Sequence, residues 1–214
     1  MITDAGLEAN FTNEGGIGGT IRFLRNIMGL WLLQECRRAW GGSIGYDELM
    51  REAMTAPQFR SFIDPDQTRF YRPLSMPEEI AACCREHGEP IPTTRGEFAR
   101  CILESLAMKS RHAIDQMRTV LNRPVNRIHI IGGGSRNAVL CQSTADATGL
   151  PVTAGPVEGT AIGNLLVQGM ALGIIPNHAA GREMVRRSFA LQEYAPAGVD
   201  RWEEAYARFR TLVR

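Results

Sequence analysis

The 214-residue chain carries 24 Lys and Arg against 23 Asp and Glu, a formal net charge of +1. One of those cations is a lysine, Lys109, and the arginines are scattered, so no basic face is available to follow a nucleic-acid backbone. The longest apolar run, from Ile27 to Leu33, is broken by Gly29 and falls short of the roughly 18 residues of a membrane span.

The first residues, MITDAGLEAN, hold acids and no apolar stretch of the signal-peptide kind, so a cytoplasmic chain is expected. A short polar strand is predicted over residues 9–13, followed by the glycine loop GGIGGT, whose glycines are expected to shape a strand-to-helix turn. Ile21, Leu24, Met28, Trp31 and Leu32 then recur at three-to-four spacing, which predicts one long, mostly buried helix. Asn26 and Gln34 would lie about two turns apart on it, as buried amides in need of partners.

Between residues 44 and 94, prolines such as Pro65 and Pro73 separate short helical pieces, YDELMREAM and MPEEIAACCREHG. The region reads as an insertion packed on a core. A long helix follows over residues 95–121, with Phe98, Ile102, Leu106, Ala113, Met117 and Leu121 in one stripe and Thr93 or Thr94 as its cap. Five cysteines make neither a CxxC pair nor a Cys/His array, so structural zinc is not expected. Reduced thiols are the expectation, with a pairing of Cys83 or Cys84 to Cys101 left open.

Next come a strand over residues 127–131, read as buried on both faces, and three glycines, Gly132, Gly133 and Gly134. A helix over 137–148 closed by Gly149, a strand over 152–154 and a helix over 160–172 complete the pattern. Strand, helix, strand, helix implies an α/β fold with a parallel pair. An amphipathic helix carrying Trp202, Tyr206 and Phe209 ends the chain.

Three consecutive glycines beyond a strand either serve a tight turn or let a flat ligand meet bare main chain. GGGSRN lacks the lysine of a P-loop, and Asn137 stands where a dinucleotide fingerprint has its third glycine. Glu158 and Thr160 read as capping groups or as neighbours of a nucleotide, and Arg136 as a phosphate or adenine contact or a solvated side chain. His87, His112, His129 and His178 have no catalytic partner in sequence and read as structural.

In combination, NFTNEGG, RFLRNIMGLWLLQECRR, FIDPD, RIHIIGGGSRNAVLCQSTADATGLPVTAGPVEGTAIGN and the closing tryptophan helix resemble the C-terminal half of the FGGY carbohydrate kinases. Those kinases fall within the actin-like ATPase superfamily. The resemblance implies a single ribonuclease H-like domain over residues 1–214, with the insertion at about 44–94 and with ATP bound mainly on this half. It implies transfer of the γ-phosphoryl group of Mg-ATP to a sugar, here the 1-hydroxyl of L-rhamnulose. GGGxxN would pack on the nucleotide, giving Gly133 first, with Gly132, Gly134 and Asn137 beside it; Gln34 would lie by ATP and Asn26 would face the sugar.

The family's phosphate-binding hairpins and catalytic aspartate have no counterpart here. Asp4, Asp64 and Asp66 lack the surrounding motif, so no catalytic residue and no metal ligand is assigned in this chain, and Mg2+ would be held mainly by the other half. The resemblance further implies that a strand between the NFTN and RIHII strands is missing, which leaves the sheet incomplete and its edges open. The chain is therefore expected to be a fragment or split-gene product, inactive unless a separate N-terminal half joins it. Two alternatives stand beside this: a noncatalytic nucleotide-binding or assembly module, and a kinase for another sugar such as fuculose or xylulose.

Overall fold

The computed structural model describes residues 2–213. Helix α1 (Asp4–Glu8) is capped by Thr3, whose hydroxyl accepts from the Gly6 amide, and Asn10 turns the chain out of it at φ 59°. Strands β1 (Thr12–Gly15) and β2 (Ile21–Leu24) pair antiparallel, Thr12 opposite Leu24 and Gly15 opposite Ile21. The strand thus begins three residues later than expected, and GGIGGT is a strand-to-strand turn. Gly18 and Gly19, at φ 60° and 71°, take left-handed conformations there.

The hairpin also corrects the long helix predicted from Ile21. Helix α2 starts only at Trp31 (Trp31–Ala39), and residues 25–29 form no regular element. Ile21 and Leu24 fit a helical stripe by spacing alone, but cross-strand pairing with β1 decides their conformation.

Helices α3 (Tyr46–Thr55), α4 (Met76–Glu86) and α5 (Arg95–Leu121) follow. At the start of α5, Thr94 accepts from the Glu97 amide while the Glu97 carboxylate accepts from Thr93, which satisfies donors that a helix start otherwise leaves open. Asn122, at φ 48°, ends it. Leu32, Leu49, Ile80, Ile102 and Leu103, one or more from each of α2 to α5, form the main core. Residues 44–94 contribute Ile44, Ile63, Phe70 and Met76 to that core.

Strand β3 (Ile128–Ile130) leads through a 3-10 turn (Gly132–Arg136) to α6 (Ala138–Thr148), capped by Asn137 and closed by Gly149 at φ 65°. Strand β4 (Val152–Ala154) lies parallel to β3, Ile128 opposite Val152. After α7 (Gly159–Ala171) and α8 (His178–Ser188), β5 (Gln192–Tyr194) joins β4 antiparallel, giving the order β3-β4-β5. Among the described residues β3 is paired on one side only, and it is half-exposed, not buried on both faces. Helix α9 (Val199–Phe209) seats Trp202, Tyr206 and Phe209 against Phe62, Met108 and Ala147. All five cysteines are free, so no disulfide joins Cys83 or Cys84 to Cys101.

Candidate functional site

The three glycines sit in three different surroundings. Gly132 sits at φ 76°, a conformation that side chains avoid. At Gly134 a Cβ would stand in ordinary contact, 3.6 Å from the Ile130 side chain. Gly133 has nothing within 4 Å of where its Cβ would be, and no left-handed angle. No protein packing or backbone strain explains a glycine at 133. The space it leaves is open to a cleft.

That cleft has a volume of about 810 Å³. One wall is the irregular segment from β2 to α2, with Ile27, Met28 and Gly29 and then Gln34 on α2. A second wall is α3, presenting Tyr46, Asp47 and Met50, and the floor is α5 with Leu106, Ser110 and Ile114. The fourth side is β3 and the glycine turn, where Gly133, Gly134, Arg136 and Asn137 meet Thr144 of α6. The lining is thus mainly apolar with a few amides and hydroxyls, one guanidinium and one carboxylate, the chemistry that accepts a flat heterocycle and a polar tail.

Of the residues singled out from sequence, Gly133, Gly134, Asn137 and Gln34 converge on this cleft, and Gly132 stands next to its rim. Asn26 is exposed and outside the lining, and Gln34 is exposed on α2, so neither is a buried amide. The Asn137 carbonyl is engaged as the α6 cap, accepting from the Leu140 amide at 2.9 Å, while the residue still borders the cleft. Arg136 also faces it. Glu158 occupies the cap position of α7 without a side-chain cap bond, and Thr160 is exposed.

The sequence reading did not place α3 in the cleft, nor the anchoring of its irregular wall. Lys109 on α5 is 1 % exposed and lies 2.7 Å from Asp64 and 3.2 Å from Asp66. A lone lysine within an apolar helix stripe was the available signal, since a buried ammonium requires anionic partners. Asp66 in turn accepts from the Met28 amide at 2.7 Å.

A second hollow of about 460 Å³ lies among α1, α5 and α9 and contains none of the glycine-turn residues. Burial lowers the His112 ring there below the ordinary histidine value. Among the described residues no three His, Cys, Asp or Glu side chains converge as a metal centre, and no helix is long and apolar enough to cross a membrane.

Residues 2–172 match the model of the FGGY family of carbohydrate kinases, C-terminal domain. The chain belongs to that family. Rhamnulokinase of Bacteroides thetaiotaomicron is 47% identical over 214 residues, which is 100% of this chain and 44% of that protein. Rhamnulokinase of Bacillus subtilis is 42% identical over 201 residues, 94% of this chain and 41% of the other. This FGGY chain therefore spans less than half the length of the curated relatives it matches, and it corresponds to their C-terminal part. Xylulose kinases from Rhodospirillum rubrum and Lactobacillus acidophilus share its fold, with TM-scores of 0.65 and 0.67 over 95% and 96% of this chain and 41% and 42% of theirs. Their identities of 17% and 14% speak to fold alone. The mixed α/β architecture with a small, incomplete sheet is that of the FGGY C-terminal kinase domain.

Proposed function

We propose that this chain is the nucleotide-binding part of a sugar kinase, acting as one C-terminal domain over residues 1–214 with residues 44–94 as its insertion. Adenosine lies against Gly133, between the glycine turn and α2, with Gly132, Gly134, Asn137 and Gln34 around it. The observation that carries the reading is the side-chain-free space at Gly133, which opens on the cleft and which nothing in the fold itself requires.

The substrate is L-rhamnulose, as the rhamnulokinase relatives favour. Its 1-hydroxyl oxygen forms a bond to the γ-phosphorus as the bond to the bridging β,γ-oxygen breaks, and the hydroxyl proton passes to a carboxylate base. We assign that base to no residue of this chain, because the family's catalytic-aspartate motif has no counterpart in its sequence. The base, most of the Mg2+ ligation and the second phosphate contact come from a separate N-terminal half, working in the cytoplasm. What this chain supplies is position: a fixed glycine turn that holds the nucleotide with its phosphates toward the other half. Asn26, exposed beside the cleft wall, contributes to sugar binding when that half is present.

The test is an ADP-release assay with Mg-ATP and L-rhamnulose, on the chain alone and with the N-terminal half of a rhamnulokinase supplied in trans. No turnover alone and turnover on mixing is expected. Turnover by the chain alone contradicts the division of labour. Tight assembly without turnover favours a noncatalytic module, and preference for fuculose or xylulose in a sugar panel overturns the substrate.

A further inference from the structure

The wall of the cleft at residues 25–29 belongs to no helix or strand, and Leu30, at the start of α2, caps it without a side-chain bond. It is nevertheless fixed at several points. Arg25 reaches Gln116 on α5, the Trp31 indole donates to the Phe70 carbonyl at 3.2 Å, and the Met28 amide donates to Asp66 Oδ1 at 2.7 Å. The Met28 bond is the one nearest the cleft, since Ile27, Met28 and Gly29 all line it.

Asp66 is itself held from below. Its Oδ2 lies 3.2 Å from Lys109 Nζ, and its amide donates to Asp64 Oδ1 at 3.1 Å; that same Asp64 oxygen is 2.7 Å from Lys109 Nζ. One carboxylate would neutralise a buried ammonium. The second acid has one oxygen on the lysine and the other on the Met28 amide, so the charge on α5 orients the very oxygen that holds the loop. The Lys109 ammonium, 2 % exposed on its side chain, is screened little by solvent, which keeps Asp66 in that one orientation.

We propose that Lys109, Asp64 and Asp66 are positioning residues for nucleotide binding. They hold the Met28 segment as a rigid cleft wall facing Gly133, and the segment loses that geometry when the Asp66 tether is cut. The nucleotide part of this rests on the reading above, whereas the tether stands on the contacts alone.

Asp66→Ala is the informative variant, because Asp64 still neutralises Lys109 and the fold persists; Lys109→Met would strand two acids and could fail to fold. Asp66→Glu keeps a carboxylate with one oxygen for Lys109 and one for the Met28 amide and serves as rescue; Asp66→Asn does not, because its NH2 would face either the Lys109 ammonium or the Met28 N–H. In Asp66→Ala, amide hydrogen exchange at Met28 rises at least tenfold and the dissociation constant for ATP, by calorimetry, rises at least fivefold. Asp66→Glu recovers most of both losses, a rescue that general destabilisation would not give. Unchanged exchange at Met28 in Asp66→Ala overturns the tether. Faster exchange with unchanged ATP affinity, or failure of the Glu variant to rescue, overturns the positioning role. If the unsubstituted chain binds no ATP, the nucleotide reading falls, and exchange at Met28 still decides the tether.

Discussion

Gly133 is the residue on which the functional reading turns, because its Cβ position opens on the cleft with no backbone strain to explain the glycine. Gly132 needs its left-handed angle, so replacing it perturbs the turn itself, whereas a Cβ at Gly134 would stand in ordinary contact with Ile130. Gly133→Arg, by contrast, puts a side chain into open cleft, and is expected to leave the melting temperature nearly unchanged while weakening ATP binding at least tenfold, about 1.4 kcal/mol. The thiols give a second prediction at this scale. Burial pushes Cys36 up to about 12 and Cys83 and Cys141 each to about 11, from an ordinary value near 9.0. A neutral thiol is thus favoured in the folded chain, and stability that is complete below pH 9 falls as pH rises from about 9 toward 11 to 12. The loss approaches about 1.4 kcal/mol per pH unit for each thiol, and urea titrations from pH 8 to 11 measure it.

At the scale of elements, α5 organises the molecule. Where α3 crosses it, a Cβ on Gly96 would come 2.5 Å from the Glu52 carbonyl oxygen. Gly96→Ala should therefore destabilise the chain by about 1–3 kcal/mol in denaturant titration, although alanine is the better helix former. Helix α9 docks on the other side through Trp202, which meets Phe59 edge-on at 4.8 Å between ring centres. Trp202→Ala is expected to cost about 3–5 kcal/mol and to lower the thermal midpoint accordingly. These two helices were legible in the sequence because their signals are local: α5 has 27 residues of apolar period with Thr94 and Asn122 at its ends, and α9 carries its aromatics on one face. The β1–β2 hairpin was not, since Ile21 and Leu24 suit either period and only pairing with β1 separates them. Strand β5 is three residues long and is defined by its register on β4, while α8 and α1 have too few apolar residues to show a stripe.

For the whole molecule, the same division between local and tertiary information governs the candidate site. The glycine turn could be read from its residues, and the comparison with FGGY kinases agrees with the resemblance it carries. The participation of Tyr46 and Met50, and the bracing of Met28 by Asp66 and Lys109, arise only when distant segments pack together. Exposed Asn26 shows the limit most clearly: its place on a helix followed from spacing, and residues 25–29 are not helical. Among the described residues β3 is paired on one side only, and the chain spans less than half the length of the curated relatives it matches. Calorimetric titration of ATP into the unsubstituted chain and into Gly133→Arg tests the central claim most directly. Saturable one-to-one binding in the first and at least tenfold weaker binding in the second, with both proteins folded by circular dichroism, is the predicted result; equal affinity in the two would contradict it.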